Sequence, residues 1–67
     1  MKPIRVTDPA MPNAHVIISF NEEFNEFTAR LFIGGKAQKA ADYFTDDKHD
    51  AMLTAHAMLH QQSSVIL

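Results

Sequence analysis

The clearest pattern in the chain is a change of period. Val16-Ile17-Ile18-Ser19-Phe20 is a β-branched apolar run, and Asn21-Glu22-Glu23 ends it with polar, turn-prone residues, which predicts a first strand. From Phe24 to Ile33, Phe27, Ala29, Leu31 and Ile33 alternate with Thr28, Arg30 and Phe32, the period-two signature of a half-buried strand. The face carrying Phe27, Leu31 and Ile33 should look inward. Gly34-Gly35 then predicts a tight hairpin, because both central positions of a type I′ turn need positive φ. The segment Lys36 to Phe44 should return antiparallel as a third strand. Its first half, Lys36-Ala37-Gln38-Lys39-Ala40-Ala41, is made of helix formers, so a short helix over 36–43 is the competing expectation.

From Thr45 the period becomes helical. Thr45 is a suitable N-cap, and Asp46, Asp47 and Asp50 place negative charge at the positive end of the dipole of a helix predicted over 46–62. Projected at about 100° per residue, Ala51, Met52, Ala55, Met58 and Leu59 share one broad face that should cover the sheet, while Leu53 and Ala57 fall outside it. Gln61 to Ser64 loosens the helix, and 63–67 ends as a short apolar tail, Val65-Ile66-Leu67. At the other end, Pro3, Pro9 and Pro12 each remove an amide donor and disfavour helix. Residues 1–13 are therefore expected as an irregular arm, within which Ile4-Arg5-Val6-Thr7 could add an edge strand. The expected fold is α+β: one domain over 1–67, with a three-stranded antiparallel β-meander at 14–45 packed against one C-terminal α-helix.

Composition narrows what such a domain does. At 67 residues a chain buries only about 60% of its unfolded surface, and without cysteine it has neither disulfides nor thiolate zinc as a staple. A homodimer is the expected remedy. The absence of cysteine and of a signal-like apolar run predicts a cytoplasmic protein, and no apolar stretch is long enough for a membrane span. Six Lys/Arg against eight Asp/Glu give a net charge of −2, which argues against nucleic acid as the main partner. With the four histidines protonated as well, the balance becomes +2.

Charge combined with topology gives the sharpest expectation. In a meander the turn after the first strand lies at the same end as the start of the helix. That gathers Glu22, Glu23, Glu26, Asp42, Asp46, Asp47 and Asp50, seven of the eight acidic residues, at one pole suited to a basic protein surface. Arg30, Lys36 and Lys39 form the alternative, a nucleic-acid contact at the glycine hairpin. His56 and His60 are four apart on one helix face with His49 on the same stripe, but no third ligand and no His-Glu-x-x-His glutamate accompany them, so no metal site is assigned. Ser19, Ser63 and Ser64 lack a nucleophile-elbow context, and Gly34-Gly35-Lys36 lacks the spacing of a phosphate loop. Neither an enzyme nor a cofactor is expected.

Phe27-Thr28-Ala29-Arg30-Leu31-Phe32-Ile33-Gly34-Gly35-Lys36, followed by the helix at Ala51 to Leu59, resembles the β-β-β-α half of a double-stranded-RNA-binding domain over about half of the chain. It departs from that family in having prolines where the family has its first helix, and Asp46-Asp47 where the family has a lysine cluster, so RNA binding is not carried over. The chain is also similar in type, though not in motif, to small accessory proteins of phages and prophages. That resemblance implies an accessory or inhibitor protein acting on a host protein complex.

Overall fold

The computed structural model describes residues 2–65, with side chains over 2–61. Its spine is a pair of eight-residue strands, β2 (Ala14–Asn21) and β3 (Glu26–Ile33). They pair antiparallel without interruption from Ala14 opposite Ile33 to Asn21 opposite Glu26. A single register buries one whole face of each strand, because side chains alternate strictly across a pleated ladder. Ala14, Val16 and Ile18 of β2 are buried with Ala29 and Leu31 of β3. Phe27 and Ile33 pack against them as partly buried residues, so the inward face is the one the period-two pattern predicts.

The N-terminal segment joins this sheet. β1 (Ile4–Thr7) pairs antiparallel with β2, Ile4 opposite Ile18 and Thr7 opposite His15, and buries Val6. The edge strand allowed for within the arm is therefore present and adds a strand outside the meander. The connector is organised by its own polar groups: the Asp8 carboxylate accepts a hydrogen bond from the Ala10 amide at 2.9 Å, and the Asp8 carbonyl accepts one from the Met11 amide at 2.9 Å. This turn delivers Met11 into the core.

After β3 the chain reverses through Gly34 and Gly35, at φ +59° and +81°, values that glycine adopts without the Cβ penalty of other residues. The return is then broken in two. β4 (Lys36–Ala37) pairs with Phe32 and Ile33, a single 3₁₀ turn occupies Lys39–Ala41, and β5 (Tyr43–Thr45) rejoins β3 opposite Phe27 to Ala29. Both expectations for this stretch are met in part. The helix formers coil out of the ladder, held by amide bonds from Gln38 to the Leu31 carbonyl and from Ala41 to the Gln38 carbonyl, while Tyr43 and Phe44 keep the pleat.

One helix, α1 (Lys48–Val65), covers the inward face. Ala51, Ala55 and Leu59 are fully buried and Met52 and Met58 pack beside them, which is the face expected from the helical projection. Alanine at two successive turns lets the helix backbone approach the sheet closely, with Leu59 filling the space beyond. Burying a side chain such as Leu59, Ile18 or Val16 contributes roughly 1.5–3 kcal/mol. Leu53 is exposed, as anticipated.

Two boundaries are corrected. The N-cap is Asp47 rather than Thr45: its Oδ1 accepts hydrogen bonds from the His49 amide at 2.9 Å and the Asp50 amide at 3.4 Å, while the Thr45 hydroxyl accepts one from the Asp47 amide at 3.2 Å. At the far end the helix does not loosen at Gln61 but continues to Val65. The end of the apolar tail, Ile66 and Leu67, lies outside the described residues. Among the described residues, no helix is long and apolar enough to cross a membrane.

Candidate functional site

The turn joining β2 to β3 spans residues 22–25 and is set by its two asparagines. The Asn21 side-chain oxygen accepts a hydrogen bond from the Glu23 amide at 3.0 Å, and the Asn25 amide donates to the Glu22 carbonyl at 3.4 Å. Asn25 has φ +50°, a left-handed conformation that asparagine tolerates better than most residues. Phe24 is thereby excluded from the strand in which the sequence pattern placed it. It stands at the tip with 68% of its surface exposed, between exposed Glu23 and Asn25.

Sheet register decides which acidic residues join this tip. Thr45 lies opposite Phe27, so Asp46 and Asp47 leave the sheet at the end where Glu22 and Glu23 turn and where Glu26 opens β3. Glu22, Glu23, Asp46 and Asp47 are exposed and Glu26 is half-buried. The Asp47 carboxylate is committed to the helix cap, which leaves Glu22 and Glu23 beside Phe24 in the turn and Asp46 exposed at the same end of the sheet. Lys48 is also exposed here and moderates the field.

Two residues of the expected pole have other partners. Asp50, one turn into the helix, accepts a 2.6 Å hydrogen bond from the Tyr43 hydroxyl. That bond, together with partial desolvation and the carboxylate's charge, raises the Tyr43 phenol above its ordinary value, because each favours the neutral phenol. Asp42 sits at the opposite end of β5 and on the opposite face of the sheet, with Oδ2 3.8 Å from Arg30 Nε and a buried Oδ1 that has no hydrogen-bond partner. The seven-residue pole is thus corrected to five residues with Asp50 behind them, and Asp42 belongs elsewhere.

The alternative basic set is divided as well. Lys36 and Lys39 are exposed near the glycine hairpin, at the end of the sheet away from the acidic tip, whereas Arg30 lies mid-strand on the uncovered face. His49, His56 and His60 are exposed along the helix. With the helix running to Val65, His60 lies more than one turn before its end, and among the described residues no three His, Asp or Glu side chains converge on a point where a metal could bind.

Two features escaped the sequence pattern. Phe24 reads as a strand residue by type, although the Asn21 and Asn25 bracket was a usable turn signal. The uncovered sheet face was present in the same alternation that identified the core, as its complement. Comparison with family models, with curated proteins and with solved structures found no match to this chain.

Proposed function

We propose that this chain is a non-enzymatic interaction module that docks its acidic hairpin tip on a basic surface of another protein. The observation that supports it is Phe24, a large ring 68% exposed on a hydrogen-bonded turn beside Glu22 and Glu23, with Asp46 leaving the sheet at the same end. An aromatic anchor inside a charged rim is the arrangement of interface hot spots: the ring fills a pocket, and the rim sets orientation and association rate. A partner matching it has an apolar pocket surrounded by Lys or Arg. An accessory or inhibitor protein is the concrete form, in keeping with the resemblance of type noted for the sequence.

The test is affinity capture from a lysate of the source organism, with quantitative binding to the partner recovered. Phe24→Ser should weaken binding by about thirty-fold or more, the scale of a hot-spot truncation. Glu22→Lys combined with Glu23→Lys and Asp46→Lys should slow association and remove its salt dependence. Both variants should stay folded and cooperative, the triple variant losing no more than about 1 kcal/mol from the charge reversed beside the helix start, since none of these side chains packs in the core. Unchanged affinity in both would refute the reading.

A further inference from the structure

The face of the sheet turned away from α1 has no element packed over it among the described residues, and its side chains follow from the registers. One row runs Thr7, His15, Phe32, Ala37 across β1, β2, β3 and β4; the next runs Arg5, Ile17, Arg30; a third runs Ser19, Thr28, Phe44. The His15 and Phe32 rings are stacked, with centroids 5.0 Å apart and planes 7° from parallel. Their outer neighbours in the row, Thr7 and Ala37, are small, so each end of the stack is open to a further flat ring. Phe44 is 53% exposed and lies level with Thr28, four residues from Phe32, or about 13 Å along the strand. Arg5 and Arg30 are exposed in the row between these aromatic groups.

From this juxtaposition we propose that the uncovered sheet face binds single-stranded nucleic acid. Bases stack on the His15–Phe32 pair and on Phe44, while Arg5 and Arg30 contact the intervening phosphates. Stacking surfaces interleaved with cations suit an unpaired strand, because every base offers a π-face and the backbone offers the charge. A duplex hides its base faces and has no use for the stack. A second copy of this chain fits less well, since face-to-face packing would bring Arg5 and Arg30 against the same groups of the partner. Asp42 lies beside Arg30 at 3.8 Å with only 21% of its side chain exposed, so a phosphate has to share Arg30 with that carboxylate, and Arg5 is the unshared cation of the row. Glu26 of the acidic end lies on this same face, one row beyond Thr28, so the site runs from the His15–Phe32 stack to Phe44 and stops short of the tip.

The experiment is a fluorescence-anisotropy titration of the full chain with labelled oligothymidylate and oligouridylate of about twelve nucleotides, and with a duplex of that length. Single strands should bind and the duplex should bind more weakly. Affinity should fall as salt rises, with a log–log slope near about −1.4 for two phosphates. Phe32→Leu, which keeps apolar bulk but removes the π-face, should weaken binding between about 5-fold and 100-fold. Arg5→Glu, on an exposed edge position, should weaken it by roughly ten-fold or more and flatten the salt slope; it carries the test alone if Phe32→Leu fails to fold. The proposal is overturned if single strands do not bind at low salt, if the duplex binds as well, or if folded variants bind like wild type. It is equally overturned if sedimentation shows a dimer that Arg5→Glu dissociates, since the face then belongs to a second copy.

Discussion

Asp46 and Asp47 are adjacent, both exposed and identically charged, yet the structure gives them unlike roles, and stability measurements separate them. Asp47 Oδ1 accepts bonds from the His49 and Asp50 amides, two donors that the helix itself cannot satisfy. Removing such a cap costs about 1 kcal/mol, and losing the charge beside the helix N-terminus adds about 0.3–1 kcal/mol. Asp47→Ala should therefore destabilise by about 1–2 kcal/mol. Unfolding entropy near 2.1 cal/mol/K per residue gives a 67-residue chain about 140 cal/mol/K, so each kcal/mol shifts Tm by about 7 °C. The expected drop is about 7–14 °C by thermal circular dichroism. Asp47→Asn keeps the acceptor and loses only the charge, and should cost no more than about 1 kcal/mol. Asp46→Ala should stay within about 0.5 kcal/mol, as surface substitutions do. Equal losses for Asp46→Ala and Asp47→Ala, or for Asp47→Asn and Asp47→Ala, would show that the capping geometry is not what stabilises the helix start.

Three further outcomes are expected. Leu59→Ala removes a fully buried side chain and should cost about 2–5 kcal/mol, a large share of the roughly 3–10 kcal/mol available to a chain this size; a urea midpoint within error of wild type would contradict the core assignment. The chain has one tyrosine, so absorbance near the phenolate band reports Tyr43 alone. It should titrate above the ordinary tyrosine value in wild type and lower in Asp50→Ala than in wild type. Because the folded state holds this proton more tightly, the bond's contribution to stability is full below the unfolded value and is lost as pH rises through the folded one; in Tyr43→Phe that part of the alkaline decline should vanish. Asn25→Gly should be neutral or mildly stabilising at φ +50°, whereas Asn25→Val should cost about 1–2 kcal/mol in a chemical melt; equal midpoints would mean that the tip does not hold its left-handed residue.

Where hydrophobic period alone decides structure, the sequence was a sufficient guide. The inward set of β3 and the buried stripe Ala51, Ala55, Leu59 follow from spacings of two and of three to four, which no neighbour overrides. The readings shift where two local preferences compete. Thr45 and Asp47 are both good capping residues, and only the backbone path shows that Asp47 caps the helix while Thr45 supports the turn before it. Lys36 to Ala41 favour a helix but follow a hairpin turn, and the chain resolves this with two ladder rungs, one 3₁₀ turn and three residues of strand. Charge was legible but its commitment was not. Nothing in the order of residues distinguishes Asp42, which pairs with Arg30, or Asp50, which accepts from Tyr43, from the free carboxylates at the tip.

The interruption at Lys39–Ala41 has a consequence for the chain in crowded solution. A β-sheet edge is a template on which another strand can grow, and its hazard scales with the length of unsatisfied backbone it presents. Here one edge is split into pieces of two and three residues, and the other is the four-residue β1 with Pro3 just before it and Pro9 two residues after it. Neither side offers a run long enough to seed a cross-β stack, so a sheet left uncovered on one face can stay available for binding without inviting its neighbours to polymerise along it.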